Sequence, residues 1–552
     1  MSRMTDGPDW LGERTPAEDR LWEAFGHGLQ VEYRHGEEIR AELVAALALG
    51  AIPGTPGRTA GVRIRGARIV GEVDLRHGTI DVPLTMLNCT FTDALRLEES
   101  VTKSIDLTGS HLTRLLATGA HIRGTLNLTR AEITGGGNDA ALMQLLTVET
   151  DLRCNRLRCT GRFTLINSKI GAELLLNKAQ LRYPGDIALS IGGLTVGSSL
   201  YFGEATVAGH VRMPGLSAGG VISLAGTRLT DPPTEGHLAY QSISGDSVSS
   251  GGNAFFDDVV SEGQIDLTGG KFGGWLSFKR ASLTCARGWP ALVANSATVA
   301  RGLYIGDGFR SETGVRLTGV QVGGHLDVFG MAPDSGRLQL YYAKAGTVRD
   351  GRTKHGTYIT GGSDSWPADV QLDGFTYEAF DPYLPANERI KLLRRQPTYA
   401  AQPYEFMAAY YRALGHEEAA RQILIEKERV RHRSFDRMSR IGSVISSTAL
   451  GYGYLPRRAA AIAAAVQAAA SVFYAVDPPT AIHPGDHVVF YPVLYAADLF
   501  VPIVHFGQTD AFQSHGLAAF VAFLLPYLGW ALGLAIVAGA SRTLSKGPGG
   551  IV

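Results

Sequence analysis

Between Ser104 and Ile122 the chain reads SIDLTGSHLTRLLATGAHI, and its apolar residues Leu107, Leu112, Ala117 and Ile122 advance by five. An α-helix repeats every 3.6 residues and a strand every 2, so neither element has this period. The fragment L-x-L returns at Val73/Leu75, Leu84/Met86, Leu95/Leu97, Ile105/Leu107 and Leu126/Leu128, in steps of about ten residues with one double step before the last. Later copies are FTLINSKIGAELLLNKAQL from Phe163, IDLTGGKFGGWLSFKRASL from Ile265 and VRLTGVQVGGHLDV from Val315. A five-residue step suits a coil with four short sides, each sending one residue to the axis while Gly, Asn, Asp, Thr or Ser turns the corner. Such coils bury their core only by stacking. The expected fold is therefore mainly β, a right-handed quadrilateral β-solenoid over residues 59–345.

A stacked repeat also accounts for the length, 552 residues, which exceeds one ordinary domain of about 150. The formal net charge of zero supplies no electrostatic drive toward nucleic acid, and none is expected as a partner. Cys89, Cys154, Cys159 and Cys285 form no CxxC pair, so no metal site or disulfide framework is expected. The five-residue spacing of Cys154 and Cys159 points both toward the core, beside Leu152 and Leu157. The start, MSRMTDGPDW, is polar, with no basic stretch leading into an apolar run, so the body is expected in the cytoplasm.

Thr15-Pro16-Ala17-Glu18 has the form of a helix start, followed by Leu21, Trp22 and Phe25 at helical spacing. A second helix fits Glu37 to Gly50, giving a helical cap over residues 1–58. An irregular connector is expected over 346–402. A helical hairpin follows over 403–440, with Tyr404, Met407, Ala408, Tyr411, Leu414, Ala419, Ala420 and Ile423 at its contact and a break at Gly415. Its spacing is similar to one tetratricopeptide unit. The body resembles the pentapeptide-repeat β-helices in a degenerate form, with insertions at Gly135 to Ala140 and Leu229 to Leu238.

Residues 441–552 read as a membrane domain with transmembrane helices at 459–476 and 517–540. The small residues Ala460, Ala464 and Ala468 and the pair Gly529/Gly533 would let the helices, or a second copy, approach closely. Arg429, Arg431, Arg433, Arg437, Arg440, Arg457 and Arg458 flank the first segment, and Arg542 and Lys546 follow the last. The loop between them contains Asp477, Asp486, Asp498 and Asp510 and no Lys or Arg, so both termini are expected in the cytoplasm. The stretch FYPVLYAADLFVPIVHFGQTDAF, from Phe490, lies in that loop. A third crossing would place Asp498 at mid-membrane at roughly 2.5 to 3.5 kcal/mol. An interfacial or re-entrant segment over 490–507 is expected instead, with Tyr491, Tyr495, Asp498, Pro502 and His505 on one face.

Two crossings around such a segment resemble two-helix cation-channel pore domains. The place of the filter reads VHFGQTD, with Gln508 and Asp510 as the candidate polar positions. No phosphate loop, dinucleotide turn or HExxH is present. Asp74, Asp106, Asp266 and Asp327 recur between the inward residues of an L-x-L and are expected to point outward into solvent. His111, His121 and His325 are expected at solvated corners.

The order of repeat body, QPYE-containing hairpin, GYGY-Pro-Arg turn and paired terminal helices is similar to a family of bacterial membrane proteins often labelled membrane-associated oxidoreductases. That resemblance implies an oxidoreductase, although no flavin, nicotinamide, haem or iron-sulfur motif is visible and no cofactor is expected. The leading expectation is a non-catalytic, membrane-anchored scaffold or sensing module, with the bilayer, a protein on the solenoid face and a second copy as its partners. A pore gated by the soluble body is the alternative.

Overall fold

The computed structural model describes residues 9–34, 36–135, 139–354, 357–433, 456–483, 489–501 and 503–544. The chain divides into two compact units, Met1–Thr398 and Tyr399–Val552. The first is a β-solenoid. One coil takes four two-residue strands, Val101–Thr102, Ile105–Asp106, His111–Leu112 and Leu115–Leu116, and each pairs in parallel with its counterparts in adjacent coils. In register on one side stand Val62, Leu84, Ile105, Leu126, Leu152, Leu174, Leu200, Ile222, Ala254, Leu276, Leu303, Leu326, Val348 and Phe380. All of them are buried, forming one continuous apolar column.

The steps from Leu84 to Ile105 to Leu126 are each twenty-one residues rather than twenty. Each side delivers more than one inward residue: Leu107, Ser110 and Leu112 are all buried around one corner. That corner is a tight turn, closed by the Ser110 amide donating to the Leu107 carbonyl at 3.0 Å, with Gly109 at φ +69°. The inward Ser110 hydroxyl donates to the Met86 carbonyl at 2.6 Å and accepts from the Cys89 amide at 2.9 Å, so it links coils without leaving a buried polar atom unpaired. Cys154 and Cys159 are buried, as are Leu152 and Leu157.

At the N-terminal end, α1 (Pro16–Phe25) begins at the expected capping box. The Thr15 hydroxyl accepts from the Glu18 amide at 3.3 Å and the Glu18 carboxylate from the Thr15 amide at 2.9 Å. The second helix, α2 (Ala41–Ala48), is shorter than expected. Glu38–Arg40 is a strand instead, because Ile39 pairs with Ile69 and joins the ladder. The cap therefore adds strands as well as helices.

At the other end the ladder continues past the expected boundary at 345. Lys344–Arg349, Val370–Gln371 and Thr376–Asp381 all pair onto preceding coils. A hairpin, Gly351–Lys354 with Thr357–Gly361, interrupts this last coil and hides its period in the sequence. Helix α3 (Ala386–Leu393) then follows, with Leu392 and Leu393 buried.

In the second unit, α4 (Gln402–Ala413) and α5 (Glu417–Arg433) form the expected hairpin, with Tyr404, Met407, Ala408, Tyr411, Ala420 and Ile423 buried. Leu414 departs from that set: it is 46% exposed, where the chain leaves the helix before Gly415. Beyond it lie α6 (Pro456–Val476), α7 (Pro492–Phe500), the short α8 (Gln508–Ala511) and α9 (Gly516–Leu544). Among the described residues one helix is long and apolar enough to cross a membrane, α9, whose segment Gly516–Leu534 has a mean hydropathy of 2.0. The apolar part of α6, Ala460–Val476, is shorter. Helix α7 has nine residues, about 13 Å, less than half a bilayer core.

Candidate functional site

The cluster expected around the Phe490 stretch is brought together, but by a route that helical periodicity does not show. Helix α7 ends at Phe500, and the following segment reverses so that His505 and Thr509 return to Asp498. The Asp498 side chain is wholly enclosed. One of its oxygens accepts from the Phe506 amide at 2.7 Å, the other from the Thr509 amide at 3.0 Å and hydroxyl at 3.1 Å. Desolvation pushes its pKa up, but these hydrogen bonds together outweigh it and hold the carboxyl below its ordinary value. His505 bridges to Asp510 at 2.9 Å and lies 3.3 Å from Asp498.

Tyr495 is buried and shares a 2.8 Å hydrogen bond with Ser514. The Gln508 carbonyl oxygen accepts from the Tyr491 amide at 3.1 Å, while Tyr491 itself is exposed. These polar groups do not share one outward face as the spacing suggested. They hold a folded-back loop. Of the helix-packing pair, Gly529 is buried, whereas Gly533 is exposed with open space where a Cβ would stand. Arg457 and Arg458 open α6, and Arg437 and Arg440 lie outside the described residues, as does Pro502.

A second constellation, which the sequence reading missed, lies on the solenoid. Ser277, Tyr304, Asp327, Arg349 and Asp381 stand in register on five successive strands: Trp275–Ser277, Gly302–Tyr304, Gln321–Asp327, Lys344–Arg349 and Thr376–Asp381. Strands about 4.8 Å apart bring such residues side by side although they are widely separated in sequence. The last four of these, with Lys279, Asp307, Phe329 and Arg352, line a cleft of about 260 Å³.

Arg349 Nε donates to Asp381 at 3.2 Å. Asp307 lies 3.7 Å from Arg352 and 3.9 Å from Arg280. The Lys279 ammonium sits 4.8 Å from the Tyr304 ring centre, and the Arg352 guanidinium 4.9 Å from that of Phe329. One Asp327 oxygen accepts from the Phe329 amide at 3.0 Å. Its other oxygen, the Tyr304 hydroxyl and the Lys279 ammonium have no hydrogen-bond partner among the described residues. Burial raises the Asp327 carboxyl above its usual range, against the lowering effect of the Phe329 amide, Arg349, Lys279 and Arg352. Asp327 is thus not the freely solvated position that its place between Leu326 and Val328 suggested. Asp106 and Asp266 also have local roles, each capping its own turn through the amide and hydroxyl of Thr108 or Thr268.

His325 lies within a strand rather than at a corner, and its Nδ1 is buried without a partner among the described residues. His111 and His121 are solvated and pair with Glu132 and Glu149. The four thiols are buried, which pushes Cys89 up to about 11 and Cys159 up to about 12 and raises Cys154 and Cys285 as well. Thiols held protonated in this way make poor nucleophiles. Among the described residues no three His, Cys, Asp or Glu side chains are grouped to hold a metal ion. No protein-family model, curated protein or solved structure matches the chain.

Proposed function

We propose that this chain is a membrane-anchored, non-catalytic β-solenoid that works as a scaffold or sensing module, presenting a small binding cleft from a rigid stack of coils. The observation that carries this reading is the apolar surface of α9, where Leu517, Phe520, Phe523, Tyr527, Trp530 and Leu534 are each more than half exposed. So many large apolar side chains on one helix suit a hydrocarbon environment. In this reading α9 spans the bilayer, α6 crosses beside it and the 490–507 segment lies at the outer interface. The arginine distribution favours both termini in the cytoplasm.

The right-handed winding of parallel crossovers is the favoured hand for the coils. The open position at Gly533 suits the approach of a second copy. The resemblance to degenerate pentapeptide-repeat membrane proteins is consistent with this arrangement. The pore alternative draws no support from Asp498, whose oxygens are already occupied by the loop.

Fractionation of cells expressing the full chain tests the anchor. The protein should sediment with membranes and resist an alkaline wash, whereas a Leu524→Arg/Leu528→Arg variant should be released. Recovery of the unaltered chain in the soluble fraction without detergent would overturn the reading. Orientation is read by labelling single added cysteines in intact cells, with His483→Cys modified from outside and Ser545→Cys spared. The native thiols are buried and give little background.

A further inference from the structure

We propose that the solenoid cleft binds a small zwitterion of the α-amino acid type, its carboxylate held by Lys279 and Arg352 and its ammonium by Asp327 and the Tyr304 hydroxyl. This rests on reading the solenoid as a sensing module and names what it senses. Three cations and three carboxylates line or close the cleft, and they are not equally engaged. Arg349 and Asp381 neutralise each other at hydrogen-bond distance. Asp307 is divided between two guanidinium groups at 3.7 and 3.9 Å, too far for a hydrogen bond to either. What remains is Lys279 and Arg352 on one side, and an unfilled Asp327 oxygen with an unfilled phenol on the other.

A simple anion would meet the Asp327 carboxylate, and a simple cation would meet Lys279 and Arg352. A bipolar molecule satisfies both ends without leaving a desolvated charge unpaired. The aromatic rings do not offer the open faces that stacking of a sugar or base would use. Lys279 covers Tyr304, Arg352 covers Phe329, and Trp275 packs on Tyr304 with ring centres 5.2 Å apart. The volume also falls below the roughly 300 to 1,000 Å³ of sites for drug-sized ligands.

The cleft is pre-organised, which lowers the ordering penalty of binding. Asp350, between Arg349 and Gly351, accepts from Trp366 Nε1 at 3.0 Å and from both terminal nitrogens of Arg389. These bonds fix the strand that carries Arg349. Gly306 allows the next coil to approach, since a Cβ there would stand 2.3 Å from the Phe329 carbonyl oxygen.

Isothermal titration of the full chain in detergent tests the proposal against the standard free L-amino acids, their N-acetyl and methyl-ester derivatives, inorganic phosphate and glucose. At least one free amino acid should bind, and blocking either its amine or its carboxylate should weaken binding at least tenfold or so. Lys279→Met and Asp327→Asn should each produce a similar loss while keeping the thermal transition of the unaltered protein. Binding that survives both blocking groups, binding of phosphate or glucose alone, or no binding at all would overturn it. The blocked ligands decide the question even if a variant fails to fold. Membrane attachment is measured on the same preparations, so absence of binding by an attached protein sinks the ligand class and leaves the anchor standing.

Discussion

Arg389 and Asp350 form an ion pair shut off from solvent, their side chains 1% and 0% exposed, where α3 meets the last coil. The guanidinium also donates to the Pro382 carbonyl at 3.0 Å and lies 3.7 Å from the centre of the Phe380 ring. Removing one partner leaves the other charge buried and alone, a loss of about 3 to 5 kcal/mol. Arg389→Met should therefore loosen this end of the ladder first. Hydrogen exchange is expected to rise over residues 344–381 while coils around Leu107 stay protected. Uniform exchange along the solenoid would show that the pair has no local role.

Leu145 occupies a corner with φ +56° and is 60% exposed, so it bears left-handed backbone strain with little packing in return. Leu145→Asn should raise stability by about 1 kcal/mol, because Asn tolerates this conformation better. The converse holds at Gly109, a left-handed position on another corner of the coil, where an added Cβ would stand 2.2 Å from the Asn88 side-chain oxygen. Gly109→Ala should lower the denaturation midpoint, and a pair of unchanged midpoints would contradict both expectations.

His210 is buried, with Nδ1 2.8 Å from the Gln241 carbonyl oxygen and Nε2 2.9 Å from the Ser244 hydroxyl. Burial lowers its pKa to about 4, against the raising effect of the Gln241 carbonyl. As pH falls below about 6.5 the unfolded chain takes up a proton that the folded one refuses, so stability declines until about pH 4 and then levels. The loss approaches roughly 3 kcal/mol. Urea unfolding between about pH 7 and pH 5 should show this slope, and His210→Gln should flatten it.

Much of the solenoid was legible because an inward position tolerates little but apolar or small residues, as at Leu107, Cys154 and Ala117. Local hydrogen-bond chemistry was equally readable at Thr15 and Glu18. Features created by pairing across coils were not. Ile39 reads as helix until Ile69 is placed beside it, and the last coil loses its period where the Gly351–Gly361 hairpin is inserted. The cleft was hidden for the same reason: Tyr304, Asp327, Arg349 and Asp381 become neighbours only once successive coils stack. At Asp498 the missing information was the chain reversal beyond Phe500, which turns an apparent surface carboxylate into a loop anchor.

That anchor gives a further expectation for Asp498→Asn. The amide side chain keeps one acceptor oxygen where the carboxylate used two, so one of the bonds to Phe506 or Thr509 should be lost, at about 1 to 3 kcal/mol. Proteolysis between Val501 and Gly507 should quicken while membrane attachment persists. In liposomes neither protein should pass cations, and a reproducible current abolished by the substitution would revive the pore.

The in-register column from Val62 to Phe380 makes this protein a ruler graduated in coils. Each coil between the N-terminal cap and the Tyr304 cleft contributes one strand spacing, about 4.8 Å, and touches only the coils on either side. Deleting the single coil from Ile105 to Thr125, whose flanking neighbours Leu84 and Leu126 carry the same inward pattern, would shorten the distance from cap to cleft by one graduation. The chemistry at either end would be untouched. Evolution can therefore set the reach of the cleft by counting, separately from what the cleft holds.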